Sequence, residues 1–128
     1  MNRLAWTVVL ALASGNAAAE WVSLGDQGNA ELFLDRTTIV RNGDMAKMWS
    51  VNALKTPGSA NGVAYVSLKR QDEFDCAGSR MRGVQISAHA QPMGEGPVVV
   101  SEKGVAAWTP VTPQAISEVL WKIACGKE

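Results

Sequence analysis

Few side chains in this 128-residue sequence could do chemistry, and their types and spacing limit what that chemistry could be. There is one histidine, His89, and there are two cysteines, Cys76 and Cys125. A Ser–His–acid site would need His89 as its base, yet strand alternation sets it with Gln85 and Ser87 on a wet face, with no orienting acid nearby. A nucleophilic cysteine is excluded if the two thiols are joined. Zinc takes four ligands, and with no C-x-x-C the lone histidine and two cysteines fall short. Asp72, Glu73 and Asp75 make the one dense carboxylate cluster. Glu73 and Asp75 point to the same side, but two carboxylates on an exposed strand supply too few oxygens for calcium. No glycine-rich phosphate loop, H-E-x-x-H or nucleophile elbow occurs. The residues argue for no catalytic group, no metal and no cofactor.

Binding chemistry is the alternative. Lys69 and Arg70 come late in one strand, and Arg80 and Arg82 begin the next, so antiparallel pairing is expected to bring them to one end of a sheet. Trp21, Trp49, Trp108 and Trp121 are many for a small domain. Large rings enlarge a thin core, and most of them are read as core. Trp108, in a proline-flanked connection, is read as the exposed one. Lys69, Arg80, Arg82 and Trp108 are therefore the candidate binding surface, suited to an acidic partner.

The opening residues say where such a surface would work. Arg3 is followed by an apolar run from Leu4 to Ala13, a break at Ser14-Gly15-Asn16, and Ala17-Ala18-Ala19 before Glu20. That is the form of a signal peptide, residues 1–19, cleaved after Ala19. The apolar run is about half of the roughly 20 residues a membrane-spanning helix needs. No lipid-bearing cysteine follows the cleavage point, so the expectation is an exported domain, residues 20–128, with no membrane anchor once the leader is gone. The periplasm is the expected compartment, with the outer-membrane surface or secretion as alternatives. Arg3 is the leader's one charged residue, so the mature net charge is −1. Nucleic acid, which needs a concentrated basic surface, is not an expected partner. Exported chains meet oxidising conditions, and two cysteines allow one intramolecular pair. Closing about 50 residues removes unfolded-state entropy worth about 4 kcal/mol.

The elements that must position these residues are mostly strands. Short runs at Glu20–Leu24 and Glu31–Asp35 flank Gly25-Asp26-Gln27-Gly28-Asn29. Thr37–Arg41 precedes Asn42-Gly43, a hairpin signal. A long strand is predicted over Met45–Lys55, then a loop from Pro57 to Gly62, then strands at Val63–Cys76, Arg80–Ala90 and Val98–Ser101. Val66, Leu68, Phe74 and Cys76 share a face that Arg70 and Asp72 interrupt, which a bulge or an overhanging strand would explain. One face of the sheet is predicted buried and the other wet. A C-terminal helix, capped by Thr112 with Pro113 in its first turn, carries Ile116, Val119, Leu120 and Ile123 as its apolar stripe and stops at Gly126. The fold class is α+β, an antiparallel sheet with a terminal helix laid on one face and pinned by the Cys76–Cys125 bridge.

Laid out in this order, the chain resembles the surface-adhesin protein E family of Gram-negative bacteria. The matching pieces are Glu20-Trp21-Val22, Leu34-Asp35-Arg36-Thr37-Thr38-Ile39, Asn42-Gly43, Lys47-Met48-Trp49, and Ser67-Leu68-Lys69 through Glu73-Phe74-Asp75-Cys76. Trp108-Thr109-Pro110-Val111-Thr112-Pro113 and Trp121-Lys122-Ile123-Ala124-Cys125 complete the series. The resemblance implies about six antiparallel strands with the helix on top and the same disulfide. It further implies a non-enzymatic binding domain whose partners are host matrix or plasma proteins, with homodimerisation an implied property, and it carries over no ligand-binding residue. The alternative is a periplasmic inhibitor or envelope-maintenance protein that binds a protein or glycan within the envelope.

Overall fold

The computed structural model describes residues 19–128, so the leader expected at residues 1–19 lies outside the described residues but for its last position. The chain forms an antiparallel meander, β1 (Val22–Asp26), β2 (Ala30–Asn42), β3 (Met45–Ala60), β4 (Val63–Asp75), β5 (Arg80–His89) and β6 (Val98–Lys103), each paired with the next. A two-residue strand, β7 (Thr109–Pro110), continues the far edge by pairing with Arg80 and Met81. One helix, α1 (Ile116–Cys125), closes the chain. This is the expected class, a sheet of six strands plus a short seventh under one terminal helix.

Two runs read separately, Glu31–Asp35 and Thr37–Arg41, are halves of one long strand, β2, whose pairing with β3 slips between Asp35 and Val40. Asp35 holds that irregularity together. Its carboxylate accepts from the Thr37 amide at 2.9 Å, the Thr37 hydroxyl at 2.5 Å and the Glu20 amide at 3.0 Å. The next hairpin forms as expected but turns on Gly43 and Asp44, with only Gly43 at positive φ.

The predicted loop from Pro57 to Gly62 is mostly strand. β3 runs through Pro57 and Gly58, and the turn is only Asn61-Gly62, both at positive φ as a type I′ hairpin requires. Between the Ala53↔Ser67 and Gly58↔Tyr65 pairs β3 takes five steps to two on β4, and Pro57 sits in that bulge, where its missing N–H breaks no ladder bond. Glycine is needed at 58 because the Tyr65 ring lies against it; a β-carbon would come 2.3 Å from the ring.

The core lies between the sheet and α1. Leu32 and Leu34 from β2, Ala46 and Met48 from β3, and Phe74 from β4 are all buried on one face, by simple period-two alternation. Leu120, Ile123 and Ala124 press onto them, with Ile116 and Trp121 at the margin. Val119, expected in the stripe, is 43% exposed and faces water. The helix also starts later than expected. Gln114 takes φ 64, which breaks the path from Pro113, so the helix begins after Ala115 and has no side-chain cap. Gly126, in the left-handed conformation, ends it as expected.

The end of the helix is fixed to the β4–β5 corner. Cys76 and Cys125 are joined, with Cα atoms 5.6 Å apart. Around the bridge, the Trp121 indole N–H donates to the Asp75 carbonyl at 2.9 Å, Lys127 to the Cys76 carbonyl at 2.8 Å and Arg41 to the Cys125 carbonyl at 3.0 Å.

Candidate binding surface

Antiparallel neighbours share a face, so the register defines the side of the sheet opposite α1, here called the outer face. Phe33, Val51, Lys69, Ser87 and Ser101 form one row across it, and Asp35, Trp49, Gln71, Gln85 and Lys103 the next. Lys47, Glu73 and Arg82 follow, and Asp75 and Arg80 close the end nearest the disulfide. Lys69, Arg80, Arg82 and Trp108 all belong to this face or lean on it.

At the disulfide end of this face, Arg80 and Arg82 are each matched to a carboxylate. Arg82 donates to Glu73 through Nε at 2.8 Å and Nη2 at 2.5 Å, and Arg80 donates through Nε to Asp75 at 2.8 Å. Asp75 also accepts from the Ala77 and Gly78 amides, so it shapes the corner while it pairs. The Arg80 guanidinium and those amides hold its carboxyl below the usual range. β7 brings Trp108 over this cluster, with the Arg80 and Arg82 guanidinium carbons 4.4 and 4.1 Å from the ring centroid. Trp108, expected to be exposed, is half-buried by that stacking. Trp21, Trp49 and Trp121, expected mostly in the core, are half-buried as well. Cations sit over Trp49 and Trp121 also, from Lys69 at 5.1 Å and Lys127 at 4.6 Å. The indoles of Trp49, Trp108 and Trp121 join apolar surface to charge, Trp121 at the margin of the core.

The register separates the residues expected at one end. Lys69 pairs with Ser87, four positions along β4 from Glu73 and hence about 13 Å from the Arg82 pair. Arg70 turns to the helix side, where Nε and Nη2 grip Asp72 at 3.0 and 2.7 Å. The bulge between Gln71 and Asp72 in the β4–β5 pairing accompanies that pair, which accounts for the interrupted apolar face. Asp72 is 3% exposed, and burial pushes its carboxyl up by more than Arg70 brings it down. Beside it, a cleft of about 220 Å³ opens under the first turn of α1, and the buried Ser50 hydroxyl there has no hydrogen-bond partner among the described residues.

His89 is not on a wet face. It is 7% exposed because the segment after β5 folds back over the outer face and also seals Val51 and Ser67. Ser67 accepts the Gly94 amide at 2.9 Å and donates to the Gln91 carbonyl at 2.7 Å, which locks the loop down. The His89 ring meets the Ser87 hydroxyl at 2.7 Å through Nε2, and its Nδ1 faces the Gly96 carbonyl at 3.4 Å, where a catalytic triad would place a carboxylate. The signal for this cover was the turn-rich Gly94-Glu95-Gly96-Pro97, with Gly94 and Gly96 both at positive φ. Among the described residues no three His, Cys, Asp or Glu side chains are grouped to hold a metal, and no helix is long and apolar enough to cross a membrane.

The whole described domain can be compared with known proteins. A family model for surface-adhesin protein E matches residues 21–126. The fold is similar to a crystal structure of protein E from non-typeable Haemophilus influenzae, with a TM-score of 0.67 at 15% identity over 83% of this chain and 75% of that one. A second crystal form of Haemophilus influenzae protein E gives the same score and identity over 83% and 87%. A further structure of it gives 0.65 at 14% identity over 84% and 87%. At such identities these structures speak for the fold alone. No curated protein sequence matches the chain. With the family model spanning the sheet, the disulfide and the helix, the chain belongs to the surface-adhesin protein E family.

Proposed function

We propose that this protein is an exported, non-enzymatic adhesion domain, residues 20–128, that binds an acidic patch on a host matrix or plasma protein through its outer face. The observation that carries the reading is the family match across residues 21–126. Export is supported by the leader-like residues 1–19 and agrees with a disulfide, which persists in oxidising compartments. Arg80, Arg82 and Trp108 form the contact, with Lys69 at its margin. Stacked arginine and tryptophan suit an anchor because they present rigid, partly desolvated area with a charge already oriented. Glu73 and Asp75 hold the guanidiniums in place and leave further N–H donors for an incoming carboxylate.

The test is to fractionate the producing cells, treat intact cells with protease and follow this protein. Cleavage on intact cells, together with retention of those cells on immobilised basement-membrane extract, is the expected result. Full protection in the soluble periplasm would overturn host adhesion and place the partner inside the envelope.

A further inference from the structure

Between the folded-back loop and the Trp108 cluster, the outer face holds a concavity that the protein-binding contact leaves unused. It has a volume of about 370 Å³, at the lower end of small-molecule sites, which run from about 300 to 1,000 Å³. Trp49, Gln85, Ser87, Val98, Ser101 and Lys103 line it. The indole of Trp49 gives a flat apolar wall. Gln85 donates to Gln71 at 3.0 Å, which orients the two amides and leaves the Gln71 nitrogen and the Gln85 oxygen without a side-chain partner among the described residues. Lys69 and Lys103 stand on adjacent rows two strands apart, their Cα atoms about 12 Å from each other. Neither has a carboxylate partner among the described residues, whereas the arginines at the far end of the face are paired. Lys69 is also held in position. The loop crosses its stem so closely that a β-carbon at Gly94 would lie 3.2 Å from the Lys69 β-carbon, and its ammonium is poised over Trp49.

We propose that this concavity binds a carboxylated sugar. A pyranose ring presents an apolar C–H face, which suits the indole, and hydroxyls that both donate and accept, which suit the amides and the Ser101 hydroxyl. Its carboxylate would lie between two ammonium groups that have no internal counter-ion. The inference does not rest on the protein-binding reading: it shares Lys69 with the margin of that contact but none of Arg80, Arg82 and Trp108.

The purified protein is titrated with N-acetylneuraminic acid, with glucuronic acid and with lactose while amide and indole N–H resonances are followed. Shifts of the Trp49 indole and of the Ser87, Ser101 and Lys103 amides with either acid, and none with lactose, are expected; the acid that binds identifies the sugar source. Lys103→Glu, on an exposed edge position where folding is not at stake, should weaken binding about tenfold as attraction becomes repulsion. Trp49→Phe, which keeps a ring, should weaken it less. Equal shifts with lactose would overturn the role of charge, and no shifts with either acid would overturn the site. Shifts confined to the Trp108 indole would also overturn it, while leaving the protein-binding contact standing.

Discussion

The two faces of one sheet have been put to opposite uses. On the helix side, Leu32, Leu34, Ala46, Met48 and Phe74 meet α1 in a single apolar layer, and a disulfide fixes the far end. On the outer side, Val51, Ser67 and His89 are sealed by a glycine-rich loop, Asp35 and Asp75 are buried at the ends of their rows, and the other positions carry amides, hydroxyls and cations over aromatic rings. Buried apolar area stabilises at roughly 25 cal/mol per Å², whereas exposed ion pairs contribute about 0–1 kcal/mol each. The difference teaches that apolar stabilisation is concentrated on one side, so the exposed charges of the other, apart from the buried Asp35 and Asp75, are free to vary with little effect on folding.

That contrast can be broken most forcefully at the disulfide. Replacing Cys76 and Cys125 with serine should cost up to about 4 kcal/mol in denaturant unfolding, because the bridge closes a separation of 49 residues. A loss well under 1 kcal/mol would mean that packing alone holds the helix. Next comes the pair beneath α1, a buried Asp72 held by a partly exposed Arg70. Arg70→Leu leaves the Asp72 carboxylate without its cation, at a cost of about 3 kcal/mol near neutral pH, shrinking in acid where the carboxyl takes up a proton.

Asp72 itself has a pH signature. Its folded pKa is raised, so what it contributes is present below its unfolded value and is lost as pH rises through the folded one. Asp72→Asn should therefore gain stability relative to the native chain as pH rises above the ordinary carboxylate range, in parallel urea titrations. Asp35 behaves in the opposite sense. Burial acts to raise its pKa, but the Thr37 hydroxyl and amide and the Glu20 amide outweigh it, and the value is lowered. Its contribution is present above the ordinary carboxylate range and falls away as pH drops through the folded value, so Asp35→Asn should flatten the acid limb of the stability curve. The smallest effect belongs to the partly exposed ion pairs of the outer face. Arg82→Ala should shift stability by about 1 kcal/mol or less while making Trp108 more accessible to acrylamide quenching.

Much of this architecture is legible in the residues because local rules and tertiary needs agree there. Period-two runs mark β5 and, outside its interruption at Arg70 and Asp72, β4; the cysteine count fixes the bridge, and Gly126 marks the helix stop. The disagreements are equally local in cause. Pro57 and Gly58 look like a loop, but a bulge admits both into β3. Thr112-Pro113 has the chemistry of a helix start, yet the left-handed Gln114 delays it. His89 falls on the face that alternation calls wet, and only the return of the chain over that face buries it. Of the candidate surface, the types of Arg80, Arg82 and Trp108 were visible in sequence, while their stacking depends on β7 pairing 28 residues away from Met81. The placement of Lys69 depended on counting register from the Asp75–Arg80 corner, which separates it from the arginines.

The central claim is that recognition belongs to the outer face and stability to the inner one. It is tested most directly by measuring retention of the purified protein on immobilised basement-membrane extract, comparing the native chain with two charge reversals of equal size. Arg82→Glu changes the outer face beside Trp108, and Lys122→Glu changes the exposed side of α1. Loss of retention with Arg82→Glu alone, both variants remaining folded, is the predicted result. Loss with Lys122→Glu alone would contradict it and move the contact to the helix.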